Sequence, residues 1–367
     1  MIQKLQAPIQ AGRNPDVIVV GAGVFGLWAA RRAIRAGKRV LVLDKRSAGA
    51  GASGGFLGAL MPHMPDRWNA KKQHQFECLV GLEFAVREIE ADTGMDCGYR
   101  RCGRLMPLSH ERMPAIVEAR IAGAAACWPG FRMELLAPPF IGTPAEGWLS
   151  PQAASFGAQW DDLSARIDPR ALVAALAAFV RAHGQLQEGC EVASIASGVV
   201  TLADGTRLSA AEIFIANGFE AYALLQPHMG HITGGAPIGR GVKGQALLLH
   251  HPHPDNRPIV YADGGYAVPH RGDRVAVGSS TVDGWQEGAF NTPDAFDPSD
   301  TDFYAGVVAM VPALAGAPVI ERWAGVRPRN MLEGRSTEPF LGPVPGLAGV
   351  TALIGGFKTG MAIAWRD

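Results

Sequence analysis

Between Asp16 and Asp44 the residue types and their spacing suit one task, the binding of a dinucleotide. Asp16-Val-Ile-Val-Val runs into Gly21-Ala-Gly23-Val24-Phe25-Gly26, and Arg39-Val-Leu-Val-Leu closes on Asp44. Gly21 permits a tight turn out of a strand, Gly23 lets backbone approach a pyrophosphate, and Gly26 lets a helix pack closely on a sheet. The free N–H groups and positive end of that helix then face the phosphates. Asp44 stands where a carboxylate accepts a bond from a ribose hydroxyl. A glycine turn that binds nothing is the competing reading. Strand, helix pattern, spacing and terminal acid together weigh against it.

Two further stretches have the composition that allows close backbone approach to a ligand. One is Lys45-Arg46-Ser-Ala-Gly-Ala-Gly-Ala52-Ser53-Gly54-Gly55, the other Gly355-Gly356-Phe357-Lys358-Thr359-Gly360. His250-His251-Pro-His253 invites a metal reading, but no Cys or acid cluster supports it at ligand spacing. Adjacent histidines on a strand also point to opposite faces. No metal is expected.

The elements that position these residues follow from periodicity. Residues 71–92 carry Phe76, Leu79, Val80 and Phe84 at helical spacing, which predicts an amphipathic helix ending before Gly94. A strand is expected over Tyr99–Met106, a helix over 110–126, and a loop-rich crossing back to the first domain over 138–151. Asp168-Pro169 is an N-cap acid followed by proline at the first helical position; Leu172, Val173, Leu176, Phe179 and Val180 supply a buried face and Gly184 ends it. Cys190–Ile195 reads as a strand, Val199–Leu208 as a hairpin turning at Asp204-Gly205, and Glu212–Ala216 as a buried strand ending at Asn217-Gly218. Short β-rich runs at Gln245–His250, Ile259–Ala262, Tyr266–Pro269 and Val275–Gly278 suggest an antiparallel sheet, and 300–311 a helix.

Composition narrows the class. The 367 residues suffice for two domains; 48% are hydrophobic and 19% charged, the balance of a globular enzyme. A formal net charge of zero gives no reason to expect nucleic acid or a charged membrane surface as partner. Five scattered cysteines without a CxxC read as reduced thiols. The first fourteen residues, which include Lys4 and Arg13, lack an apolar core, and no apolar run reaches transmembrane length. A cytoplasmic location is expected.

In order along nearly the whole chain, several stretches resemble the D-amino-acid oxidase family of FAD flavoproteins, and glycine oxidase with related bacterial amino-acid and amine oxidases most of all. They are GAGVFG (21–26), LVLDKR (41–46), GASGG (51–55), RCGRL (101–105), IDP (167–169), IFIANG (213–218), VKGQ (242–245), YAVPHRGDRVAVGSS (266–280), WAGVRP (323–328) and GGFKTG (355–360). The resemblance implies an α/β fold: a Rossmann-like FAD-binding domain of glutathione-reductase type with an inserted antiparallel-sheet α+β substrate domain. The expected boundaries are 14–92, 150–226 and 322–367 for the first domain and 93–149 and 227–321 for the second.

The same resemblance implies FAD bound non-covalently, since no cysteine follows WAGVRP. Its expected neighbours are Gly21, Gly23, Val24, Phe25, Gly26, Asp44, Lys45, Ala52, Ser53, Val192, Ala216, Asn217, Gly218, Gly355, Gly356, Phe357, Lys358 and Thr359, with Arg327 beside it. Arg327 matches the family's carboxylate-binding arginine, a guanidinium suited to a two-pronged bond. Arg329 competes for that role. Tyr266 matches a tyrosine lining the substrate site, and Lys358 offers a second positive charge; either side chain has an ordinary structural reading too. His63 is a weaker candidate near the flavin face.

The implied reaction passes a hydride from a small amino acid or amine (glycine, sarcosine or a D-amino acid) to flavin N5. It yields an imine and then a 2-oxo acid, with oxygen or another acceptor taking the electrons. A homo-oligomer is compatible with this reading. The alternatives are an oxidase of another amine, such as the flavin domain of tRNA wobble-uridine modification, or an inactive flavin-binding relative. Two departures from the family pattern stand out: residues 330–338 replace its usual Asp-Gly turn, and the last helix is short.

Overall fold

The computed structural model describes residues 14–283, 294–299, 301–332 and 338–366. The chain begins with β1 (Val17–Val20), α1 (Val24–Arg35), β2 (Val40–Asp44), β3 (Ala59–Leu60) and α2 (Ala70–Thr93). Next come β4 (Arg104–Pro107), α3 (Met113–Cys127), β5 (Met133–Leu136), β6 (Ala158–Asp161), β7 (Ala165–Arg166) and α4 (Pro169–His183). A run of strands follows: β8 (Gln185–Glu188), β9 (Val192–Ala196), β10 (Val199–Leu202), β11 (Arg207–Ser209) and β12 (Glu212–Ile215). After α5 (Ala221–Met229) come β13 (Gly239–His250), β14 (Ile259–Ala262), β15 (Gly265–His270), β16 (Arg274–Gly278) and α6 (Asp302–Met310). The last elements are β17 (Val319–Asn330), β18 (Phe340–Pro343), β19 (Val350–Ile354) and α7 (Gly360–Ile363).

The architecture is mixed α/β, as expected. A six-stranded sheet runs β18-β19-β12-β1-β2-β8, and β1 pairs parallel with both β2 and β12. Its central strands are apolar throughout because both faces are covered. Val17, Val19, Val40 and Val42 pack with α1, α2 and α4. Ile18, Val20, Leu41 and Leu43 face the small sheet β11-β10-β9 and α5. As expected, Asp168 caps α4, accepting from the backbone N–H groups of Arg170 and Ala171.

The second sheet, β17-β13-β16-β15-β14-β4-β6-β5, is largely antiparallel; β14 and β4 pair parallel. Period-two alternation divides its side chains. Leu247, Leu249, Ala267, Val275 and Val277 pack under α6, while Ala246, Leu248, Tyr266, Val268 and Ala276 face the other way, toward Phe56. The expected segments 150–226 and 322–367 each give this sheet a strand, β6 and β17, as well as strands of the first sheet.

Three local expectations need correction. Helix α2 forms, but Phe84 is 67% and Val80 39% exposed; Phe76, Leu79, Leu82, Val86 and Ile89 are its buried apolar face. The loop over 138–151 does not cross back. It inserts Phe140 and Trp148 under the second sheet, where the Trp148 indole donates to the Pro258 carbonyl, and leads into β6. The strand expected from Cys190 starts at Val192. Before it lies β8, a polar edge strand pairing with β2 whose one buried residue is Leu186, too little apolar pattern to announce itself.

Candidate functional site

A cavity of about 740 Å³ opens beyond the carboxyl ends of β1, β2, β12 and β19 and extends under the second sheet. Open α/β sheets bind ligands at this end of their strands. Gly21, Gly23, Val24, Phe25, Asp44, Lys45, Ala52, Ser53, Val192, Ala216, Asn217 and Gly218 line one part. Tyr266, Arg327, Gly355, Gly356, Phe357 and Lys358 line another. Three expected residues do not reach the wall. Gly26 lies behind the turn, Thr359 bonds back to the Gly356 carbonyl, and the backbone N–H of His63 donates to Gln75.

The glycine turn has the geometry its sequence requires. Gly21 sits at φ +106°, and a Cβ there would come within 2.6 Å of Ala216 backbone. The Val24 N–H, at the start of α1, donates to the Ser53 hydroxyl at 3.0 Å, so the loop over residues 45–55 is fastened to that helix end. Asp44 is tied into the turn by both oxygens: Oδ2 accepts from the Ala22 N–H at 2.7 Å and Oδ1 from the Arg46 N–H at 2.8 Å. Burial pushes its pKa up, and these two bonds oppose the shift. Lys45 pairs with Glu220 at 2.6 Å.

Whether a dinucleotide fits can be judged on the wall itself. The Asn217 Oδ1 is buried and has no hydrogen-bond partner among the described residues. An orphaned acceptor beside a glycine turn and a helix N-terminus is a costly arrangement unless a donor arrives. The residues present fit such a ligand.

At the other part three cations surround one ring. Arg329, Arg327 and Lys358 stand 4.5, 5.1 and 5.9 Å from the Phe357 centroid. Arg329 is neutralised by Asp283 at 3.1 Å, and Asp283 also binds Arg240. Arg327 instead donates to neutral groups: the Ser280 carbonyl at 2.8 Å, the Thr281 hydroxyl at 3.3 Å and the Ser279 hydroxyl at 3.4 Å. Burial lowers the pKa of Arg327 and Lys358, and mutual repulsion of the cations adds to it. Tyr266 is buried against Tyr261, ring centroids 4.7 Å apart, and burial raises its phenol.

Sequence reasoning missed several supports. Gly244 faces Gly325 across the β13–β17 pairing, and a Cβ on it would lie 2.7 Å from the Arg327 guanidinium. Asn330 is fully buried, accepting from the Tyr222 hydroxyl and donating to the Glu338 carbonyl. The glycine in VKGQ was the available signal for the first; nothing local announced Asn330 or Asp283. Of the unusual 330–338 loop, residues 333–337 lie outside the described residues, as does Asp367.

Comparison with known proteins agrees with this geometry. Residues 16–366 match the family model described as FAD dependent oxidoreductase. The chain is 28% identical to a glycine oxidase of Pseudomonas putida over 363 residues, covering 96% of this chain and 92% of the relative. It is 27% identical to a bifunctional tRNA 5-methylaminomethyl-2-thiouridine biosynthesis protein of Chromohalobacter salexigens, covering 92% of this chain but 47% of that protein. A bifunctional ThiO/ThiG protein of Synechocystis matches at 29%, covering 95% of this chain and 50% of its own length. The chain thus spans about half the length of these two relatives. The crystal structure of glycine oxidase from Geobacillus kaustophilus superposes with a TM-score of 0.79 at 23% identity, covering 96% of this chain and 92% of that one.

Proposed function

The chain belongs to the family of FAD-dependent oxidoreductases, and on that premise we propose that it oxidises a small amine bearing a carboxylate, such as glycine, sarcosine or a D-amino acid. The observation that carries this reading is Arg327. Its guanidinium lines the cavity, is held by a carbonyl and two hydroxyls, and has no carboxylate partner among the described residues. Such a group fixes a substrate carboxylate through paired N–H donors and so aims the neighbouring C–H.

FAD would lie along the cavity wall. The Gly21–Gly26 turn and Ser53 would hold its pyrophosphate, Asp44 its ribose, Val192 and Asn217 the adenosine surroundings, and Gly355 and Gly356 its ring system. When bound, FAD would supply the acceptor for one hydride, that is two electrons with a proton, from the substrate α-carbon. The chain's own work is to bind, orient and exclude water. Arg327 anchors the carboxylate and Tyr266 offers a phenol toward the carboxylate or amine; the amine reacts in its unprotonated form. The substrate leaves as an imine, which water hydrolyses to a 2-oxo acid and ammonia; for sarcosine, hydrolysis gives a primary amine and a small carbonyl compound. Oxygen or another acceptor then takes the two electrons.

The test is a product balance across glycine, sarcosine, D-amino acids and proline under air. One 2-oxo acid or its equivalent should form per amine consumed for at least one of them. Consumption of none would remove the reading. The tRNA-modifying relative supports a second reading, an amine carried on a larger molecule; turnover of a tRNA-borne amine alone would favour that reading.

Two results are expected on the purified protein. Acid precipitation will release the flavin into the supernatant, because the one cysteine on the cavity wall among the described residues, Cys190, stands beside Val192 at the adenosine part. Flavin kept in the pellet would refute non-covalent binding. Gly244→Ala will raise KM for the carboxylate-bearing amine about tenfold or more, since a displaced clamp loses orientation. It should leave flavin content and Tm near wild type, because the atoms nearest the new methyl belong to the end of the Arg327 side chain and not to backbone. An unchanged KM would show that the clamp does not depend on that space.

The five cysteines are free thiols, which supports a reducing compartment. No helix among the described residues is long and apolar enough to cross a membrane.

A further inference from the structure

We propose that His270 is a positioning residue for the flavin ring: it holds the Phe56 and Leu57 carbonyls behind the cavity wall, so that the Leu57 and Gly58 N–H groups face the ring. The inference rests on the reading that FAD occupies the cavity.

His270 is 3% exposed and sits on β15 at the period-two positions of Tyr266 and Val268. Its Nε2 stands 2.9 Å from the Phe56 carbonyl oxygen and 3.2 Å from that of Leu57. Carbonyl oxygens only accept, so Nε2 carries the ring's proton and donates to both. Burial lowers the pKa of His270 to about 4, against the pull of Asp168, so near neutral pH the ring is uncharged. Two more groups hold the same loop. Arg170 donates to the Gly54 carbonyl at 2.7 Å and lies over the Phe56 ring, 4.6 Å from its centroid. The Ile167 N–H donates to the Gly58 carbonyl at 3.0 Å. Residues 55–59 line the cavity, whereas Ile167, Arg170 and His270 stand behind them.

A trans peptide points its C=O and N–H in opposite directions. Among the described residues only Pro138-Pro139 and Gly278-Ser279 are joined by cis bonds. The Phe56 carbonyl shares its peptide with the Leu57 N–H, and the Leu57 carbonyl with the Gly58 N–H. Holding both carbonyls on His270 therefore turns both N–H groups away from it, toward the cavity. Leu57 marks which part of the cavity they face. Its Cδ1 lies 3.3 Å from where a Cβ on Gly278 would stand, and Gly278 pairs with Tyr266 across β15 and β16. The next residue, Ser279, holds Arg327. The two donors thus belong to the part where Tyr266 and Arg327 would hold substrate, which is where a hydride must be accepted. Fixed donors stabilise charge that develops on reduction. His270 in this way sets how readily the bound ring takes electrons, without touching substrate.

The experiment compares flavin-loaded wild type, His270→Gln and His270→Leu by two properties that need no amine. One is the Kd for sulfite, which adds to oxidised flavin and places negative charge on it. The other is the midpoint potential, read by equilibration with a reference dye. Glutamine offers a side-chain N–H near the place of Nε2, and leucine offers none. His270→Leu should weaken sulfite binding about tenfold, as for loss of a charge-assisted bond. Its potential should fall by about 30 mV, the same factor for a two-electron couple. His270→Gln should stay near wild type in both.

Wild-type values of both properties in His270→Leu would overturn the inference. So would a His270→Gln variant that shifts as far as His270→Leu, or one that loses its flavin, since His270 would then be a structural support. Where His270→Leu itself keeps no flavin, His270→Asn is read in its place, because its shorter amide does not span both carbonyls. Neither readout uses an amine, so each of these failures leaves the proposed oxidation standing. A wild type that holds no flavin removes both.

Discussion

Replacing Arg327 with alanine will lower kcat/KM for a carboxylate-bearing amine by roughly thirtyfold or more, the equivalent of losing one buried charge-assisted pair worth on the order of 2–5 kcal/mol. FAD content should not change, because Arg327 is held by Ser279, Ser280 and Thr281 and not by the glycine turn. Arg327→Lys should recover only part of the loss. An ammonium placed there keeps the charge but loses the parallel donors. Amines without a carboxylate should respond to neither change. Steady-state kinetics on matched amines with and without the carboxylate separate these outcomes. Equal losses on both amines would mean that the variants damage the fold or the flavin site instead.

The second large effect is on cofactor retention. Asp44→Ala should weaken FAD binding about tenfold to a hundredfold, as expected when a charge-assisted bond is lost and its partner is left unpaired. The physical reason is broader than the ribose contact. Asp44 also accepts from the Ala22 and Arg46 backbone N–H groups, so alanine leaves two turn amides without their acceptor. Asp44→Asn keeps one carbonyl oxygen for those amides and gives up the charge, so its effect should be intermediate. The readout is the fraction of flavin that stays with the protein through dilution and gel filtration. Full retention by Asp44→Ala would reduce Asp44 to a strand end.

Much of the cofactor site was legible because its determinants are local. Val17–Val20, the three glycines, α1 and Asp44 lie within thirty residues, and each constrains the next through the geometry of one βαβ unit. The short β runs were legible for a similar reason, since period two places Tyr266 and Val268 on one face whatever the strand order. What escaped depends on register between distant strands. Gly244 makes room for the Arg327 guanidinium only because β13 and β17 pair with Val242 opposite Arg327. Asp283 selects Arg329 over Arg327 through a contact 46 residues away in the chain. Helical spacing failed at Val80 and Phe84 for a related cause. Such spacing identifies a helix, but which side faces the core depends on what packs there, and here α4 and α7 meet the side that carries Leu79, Leu82 and Val86.

The central claim, that a carboxylate-bearing amine reduces flavin held in this cavity, is tested most directly by anaerobic mixing in a stopped-flow spectrophotometer. Flavin-loaded protein is mixed with each of glycine, sarcosine, proline and D-amino acids. At least one of them should bleach the oxidised flavin absorbance at a rate matching kcat, and Arg327→Ala should slow this bleaching or raise the concentration it requires. A flavin that dithionite bleaches but that none of these amines reduces would contradict the account.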